Sequence, residues 1–188
     1  MSSKIWGDIM NYLICSDVHG SIITFKKVID FFVENKFDKL IVLGDLLYHG
    51  PRNDIPLGYK PKEVIALANS FKEKIIMVKG NCEAEVDQMV LDFKIFNKKK
   101  IRYLNHNIYL EHGHHLDYQN KNYIKGDIVF YGHTHISKFE IVDGVTFVNP
   151  GSITLPKEKT KKSFGALVSN RFVLLDLNGN ILESKEIF

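Results

Sequence analysis

Short apolar runs recur along the chain, and each is followed almost at once by glycine or a polar residue. Tyr12–Cys15, Leu40–Leu43 and Ile75–Val78 have the length and branched content of buried strands. Between them, Ile22–Phe32 and Pro61–Phe71 repeat apolar positions at helical spacing, and the second opens with a proline suited to a first helical turn. Glu83–Leu91 reads as a short helix, and Ile108–Leu110 and Ile128–Tyr131 as further short strands. This alternation over the first two-thirds of the chain predicts a mainly parallel α/β sheet.

The last third changes character. Lys138–Val142 and Val145–Val148 flank Asp143-Gly144, a dipeptide made for a tight hairpin turn. Phe164–Val168, Arg171–Leu177 and Ile181–Ile187 continue as strands, separated by Ser169-Asn170 and Asn178-Gly179-Asn180. Lys157–Lys162 reads as a solvated basic loop. No repeat or linker divides the chain, and 188 residues suit one domain, expected over residues 10–188 with residues 1–9 as an extension.

Composition then narrows the functional classes. Hydrophobic residues make up 45% and charged residues 25%, a globular balance. Lysine and arginine exceed the acids by only 25 to 22, too even for a nucleic-acid coat or a membrane-surface protein. No apolar run approaches the roughly 20 residues needed to span a bilayer. The two cysteines, Cys15 and Cys82, form no CxxC pair and fit a reducing, cytoplasmic setting.

The chemistry gathers after the strands. Tyr12–Cys15 is followed by Asp17 and His19, Leu40–Leu43 by Asp45, and Ile75–Val78 by Asn81. Ile108–Leu110 is followed by His112, and Ile128–Tyr131 by His133 and His135. Ligand sites of open α/β sheets form beyond the carboxyl ends of the strands. Any one of these residues alone is an ordinary turn or capping residue. Together they supply two carboxylates, one amide oxygen and four imidazoles, a mixed N/O set that suits manganese, iron or zinc better than calcium. Seven donors are too many for one tetrahedral ion and suit two ions sharing a carboxylate. His49, Arg52 and Asn53 follow Asp45 in a loop bounded by glycine and proline. Arg52 there serves either phosphate binding or a structural salt bridge. His114 is a neighbour of the ligands or merely exposed, Cys15 is core, and Asn149–Ser152 is a turn beside the site without a catalytic role.

The motifs D-x-H (Asp17, His19), G-D (Gly44, Asp45), G-N (Gly80, Asn81), the histidine of E-H-G-H (His112) and G-H-T-H (Gly132–His135) stand in the order of the calcineurin-like metallophosphoesterases, from about Met10 to Pro156. GDLLYHGPRN at 44–53, GYKP at 58–61, GNCEAEVDQM at 80–89 and NPGS at 149–152 resemble the small bacterial phosphodiesterases of that superfamily. The resemblance implies an α/β fold, a four-layer α/β/β/α sandwich with two central mixed sheets. It implies two divalent ions, Mn2+ foremost, with Zn2+, Fe2+ or Mg2+ as alternatives. One ion takes Asp17, His19, Asp45 and His135, and the other takes Asp45, Asn81, His112 and His133. It further implies a homo-oligomer and hydrolysis of small phosphodiesters by a bridging hydroxide. Asp45 and Asn81 are the catalytic candidates, and Arg52, Asn53 and Cys82 the substrate-binding ones. A phosphomonoesterase or nucleotide pyrophosphatase on the same centre and a non-catalytic interaction scaffold are the alternatives. Many members of the wider family carry histidine after the asparagine, where it can protonate the leaving oxygen. Cys82 stands there in this chain, which leaves the general acid unassigned.

Overall fold

The computed structural model describes residues 10–187, so the expected extension over residues 1–9 lies outside the described residues. In chain order the elements are β1 Tyr12–Cys15, α1 Ile22–Glu34, β2 Lys39–Val42, α2 Pro61–Asn69, β3 Ile75–Val78, α3 Glu85–Val90, β4 Ile95–Phe96, β5 Lys99–Tyr103, β6 His106–Leu110, β7 Ile128–Phe130, β8 Ser137–Val142, β9 Val145–Pro150, β10 Ser163–Val168, β11 Arg171–Asp176 and β12 Ile181–Glu186. Two mixed sheets result. One runs β12-β11-β10-β1-β2-β3-β4 and the other β5-β6-β7-β9-β8.

The period of two along each strand assigns its faces. In β1, Leu13 and Cys15 join α1 and α2 through Phe25, Val28, Ile29, Phe32, Val64 and Ala68. The alternate residues Tyr12 and Ile14, with Ile41, Leu43 and Val78, meet Ile108, Leu110, Ile128, Phe130 and Val148 of the second sheet. The core therefore has one layer under the helices and one between the sheets. The outer face of the second sheet, Val129, Tyr131 and Phe147, is covered by Leu116, Tyr118 and Tyr123 from the turns between β6 and β7. No helix of the described residues is long and apolar enough to cross a membrane.

Local expectations hold where a side chain reports its own surroundings. The α1 stripe buries Phe25, Val28, Ile29 and Phe32 at helical spacing, and Pro61 occupies the first turn of α2. Asp143 and Gly144 both have positive φ, at 51° and 79°, as a primed turn requires, and Val142 pairs with Val145. The two central mixed sheets implied by the resemblance are present, and the parallel neighbours that strand–helix alternation predicts are divided between them. β1, β2, β3 and β4 are parallel neighbours in one, and β6, β7 and β9 in the other. Periodicity reports that a strand exists but not which strand it pairs with. β4 and β5 were not expected at all, because the lysines of 94–100 hide their alternation. Three of those lysines lie over aromatic faces: Lys94 Nζ is 5.1 Å and Lys99 Nζ 4.1 Å from the Phe96 ring, and Lys100 Nζ is 5.0 Å from that of Tyr109.

Candidate metal centre

Strand ends from both sheets converge on one edge of the sandwich. The register sets Cys15 opposite Val42 and Leu110 opposite Phe130, so the loops that follow leave each sheet nearly in step. The β1 and β2 loops run side by side, with Asp17 N donating to Gly44 O, His19 N to Asp45 O and Gly20 N to Leu46 O. Across the gap, Gly132 N donates to His112 O at 2.8 Å.

These loops turn sharply. Asp17, His19, Asp45, His133 and His135 have φ of 56°, 48°, 54°, 66° and 62°, the left-handed region that costs non-glycine residues of order 1–3 kcal/mol each. Two motif glycines are required by contact. A Cβ on Gly80 would overlap Asp45 Oδ1, and one on Gly132 would overlap Ser16 Oγ.

The structure brings all seven predicted ligands together as two donor sets with Asp45 between them. In the first, His19 Nε2 lies 3.2 Å from His135 Nε2, and Asp17 Oδ1 lies 3.3 Å from His135 Nε2 and 3.8 Å from His19 Nε2. In the second, Asn81 Oδ1 lies 3.0 Å from His112 Nε2 and 2.7 Å from His133 Nδ1. Asp45 Oδ2 reaches both, at 3.8 Å from His19 Nε2 and 3.4 Å from His112 Nε2.

Hydrogen bonds behind the rings fix what faces inward. His19 Nδ1 meets Tyr48 O at 2.8 Å, His112 Nδ1 meets Leu43 O at 2.7 Å and His135 Nδ1 meets Leu155 O at 2.6 Å. A carbonyl accepts only, so each Nδ1 carries a proton, and it is Nε2 of each ring that faces the centre, where its lone pair serves as a donor once that nitrogen is unprotonated. With those nitrogens unprotonated, His19 and His135 aim two lone pairs at each other over 3.2 Å, an arrangement that a cation between them relieves. Asp17 Oδ1 is likewise buried with no hydrogen-bond partner among the described residues. These donors fit divalent metal ions.

Electrostatics agree. Burial works to raise the carboxyl pKa of Asp17 and Asp45, yet the surrounding histidines hold both below the ordinary carboxylate range. For His112 burial favours the neutral ring, but Asp45 and Asp17 outweigh it and lift the pKa to about 9. Burial lowers His19 and His133, leaving neutral imidazoles suited to ligation.

Arg52, Asn53 and Cys82 line a cavity of about 390 Å³ that opens onto His19, Asp45, Asn81, His133 and His135. Arg52 makes no ion pair among the described residues. Asn53 Nδ2 donates to His49 O at 2.7 Å and so braces its own loop. Cys82 N donates to Asp45 Oδ1 at 2.9 Å, and burial, with Asp45 close by, pushes its thiol up to about 12. His49 packs between Tyr48 and Tyr59. His114 is exposed, its ring 5.5 Å from that of His112. Cys15 is fully buried in the core.

Two supports went unnoticed in the sequence. Glu83, expected to begin a helix, precedes α3 and turns inward. Its Oε2 accepts from Asp45 N at 2.8 Å and from Gly80 N at 2.5 Å, and its Oε1 from Leu46 N at 2.6 Å. Burial and then Asp45 raise its pKa to about 7, against three backbone donors that favour the charged form. An acid three residues past the G-N glycine was the available signal. Lys157 also lines the cavity. The Asn149–Ser152 turn does brace the site: Ser152 Oγ donates to Asp17 O at 2.8 Å, and Asn149 Nδ2 to Gly132 O at 2.7 Å.

Comparison with known proteins gives the same picture. The model of the calcineurin-like phosphoesterase superfamily domain matches residues 10–170. The phosphodiesterase YfcE of Escherichia coli is 36% identical over 171 residues, covering 90% of this chain and 93% of that protein. A solved structure of that phosphoesterase superposes with a TM-score of 0.91 at 34% identity, covering 95% of this chain and 100% of the other. Vps29 of Entamoeba histolytica, complexed with zinc, shares the fold with a TM-score of 0.64 at 21% identity, covering 95% of this chain and 100% of its own. A match that spans every ligand loop and nearly the whole sandwich places the chain in the calcineurin-like phosphoesterase superfamily.

Proposed function

We propose that the protein is a metal-dependent phosphodiesterase acting on small phosphodiesters, with residues 10–188 as its catalytic unit. The observation that carries the reading is the pair of donor sets sharing Asp45, beside a cavity with an unpaired arginine. Asp17, His19, Asp45 and His135 would hold one ion, and Asp45, Asn81, His112 and His133 the other, with Mn2+ preferred over Zn2+, Fe2+ and Mg2+. When bound, the ions would activate water at neutral pH and neutralise charge on the phosphoryl oxygens.

The chain supplies the rest. Asp45 spans the two sets, and Glu83 fixes the backbone on which Asp45 and Asn81 are carried. Arg52, which lines the cavity, would donate to a non-bridging phosphate oxygen, a charge-assisted bond suited to its planar fork. Cys82 is a weak donor as a thiol and none as a thiolate, so departure of the leaving group would depend on that group's own acidity. Similarity to YfcE, whose name records phosphodiesterase activity, supports the same reading. The scaffold alternative loses ground because the donor set is complete. A homo-oligomer in the cytoplasm belongs to the same proposal.

The experiment is turnover of bis(nitrophenyl) phosphate, nitrophenyl phosphate and a nucleotide pyrophosphate with each of the four metals, before and after chelation. Manganese-dependent hydrolysis that is fastest on the diester is expected. Faster turnover of the monoester or pyrophosphate would move the assignment to that class, and no turnover with any metal would leave the scaffold.

A further inference from the structure

The loop of residues 157–162 is too well built for a solvated basic stretch. Lys157 N donates to the carbonyl of His135 at 3.2 Å, and His135 in turn holds Leu155 O through Nδ1 at 2.6 Å. Thr160 Oγ1 donates to Lys157 O at 2.7 Å and reaches His135 O at 3.4 Å. Glu158 and Lys159, neither of them glycine, follow with φ of 51° and 61°. Two consecutive left-handed residues persist only where surrounding contacts hold them. The result is a tight turn, fastened to a predicted metal ligand, that sets Lys157 at the rim of the cavity containing Arg52.

Neither cation is neutralised there. Lys157, like Arg52, has no ion pair among the described residues, and the only carboxylate lining the cavity is Asp45, committed to the donor sets. Arg52 and Lys157 together balance Asp17 and Asp45, so the charge of bound cations is left for the substrate to meet. A simple diester brings one negative charge, which leaves room for a second.

We infer that Lys157 is a specificity residue, recognising a second anionic group, carboxylate or phosphate, on an ester arm of the substrate. This rests on the phosphodiesterase reading and names its substrate class. Lys157 is exposed, so its contribution is that of a screened surface charge, roughly two- to fivefold in kcat/KM and mainly through KM.

The test uses the manganese-loaded protein and three nitrophenyl phosphodiesters whose second arm is ethyl, carboxyethyl or phosphonoethyl. The wild type should prefer the anionic arms over ethyl by that factor, and the two anionic arms distinguish carboxylate from phosphate recognition. Lys157→Ala should bring the ratio close to one, and Lys157→Arg should retain most of it. The preference should also shrink as the Debye length falls from about 30 Å to about 8 Å on raising the salt from about 0.01 to about 0.15 M. Ratios measured within one protein are insensitive to partial loss of active enzyme. Hydrolysis of all three esters at equal efficiency, or a preference that survives Lys157→Ala, overturns the inference while leaving the phosphodiesterase reading intact. Failure to hydrolyse even the ethyl ester overturns both.

Discussion

Replacing Glu83 by glutamine changes one oxygen into an amide nitrogen and little else in shape. Both carboxylate oxygens accept backbone N–H groups, Oε2 from Asp45 and Gly80 and Oε1 from Leu46. Whichever way the amide is turned, its NH2 group confronts at least one of these donors. The milder orientation abandons only the N–H of Leu46, a buried residue. An orphaned buried donor costs about 1–3 kcal/mol. For a domain of this size each kcal/mol lowers Tm by about 2–4 °C, so Glu83→Gln should melt about 2–12 °C below wild type. Glu83→Ala strands all three donors and opens a void, so it should melt lower still. Because the donors belong to the backbone of Asp45 and Gly80, manganese affinity should fall in the same order. Thermal melts in chelator isolate the structural part, and metal titration measures the rest. An alanine variant that melts with the wild type in chelator would refute the idea that Glu83 ties the ligand loops together.

Three further outcomes follow from the site. Asp45→Asn should abolish nearly all turnover and weaken both metals, because Asp45 Oδ2 faces both donor sets; full dinuclear occupancy by metal analysis with normal turnover would contradict this. Arg52→Ala should lower kcat/KM by roughly ten- to a hundredfold, the worth of a charged hydrogen bond, with metal content unchanged. Cys82→His should restore a proton donor and selectively accelerate esters with poor leaving groups, within the roughly 10²–10⁴-fold range of general acid catalysis. Equal slopes of log rate against leaving-group pKa for wild type and variant would show that position 82 does not control protonation.

The ligands were legible because each follows its strand at once: a four-residue strand such as Tyr12–Cys15 or Ile75–Val78 announces its own end, and the next polar residues announce the site. The partition into two sheets was not legible in periodicity, since β3 and β7 are both short apolar runs and differ only in the strands they pair with. Glu83 escaped for a different reason. An acid ahead of a helix is common, and only the folded backbone shows three N–H groups turned toward it. Lys157 lies in a lysine-rich stretch where sequence cannot tell the residue fastened beside the cavity from its solvated neighbours.

Because the donors come from both sheets, the packing between the sheets works as a ruler for the centre. Asp17, Asp45 and Asn81 ride on the first sheet, and His112, His133 and His135 on the second. The separation between them is set by Ile14, Ile41 and Leu43 against Leu110, Ile128 and Phe130. Stacked sheets keep a spacing of about 10 Å that depends on the volume of the side chains between them. Trimming Phe130 would let the sheets settle together and change the aperture between Asp45 and His112 without altering a single donor. Any choice among ions of different radius would then depend partly on the apolar core, and substitutions there would retune it while every motif residue stays in place.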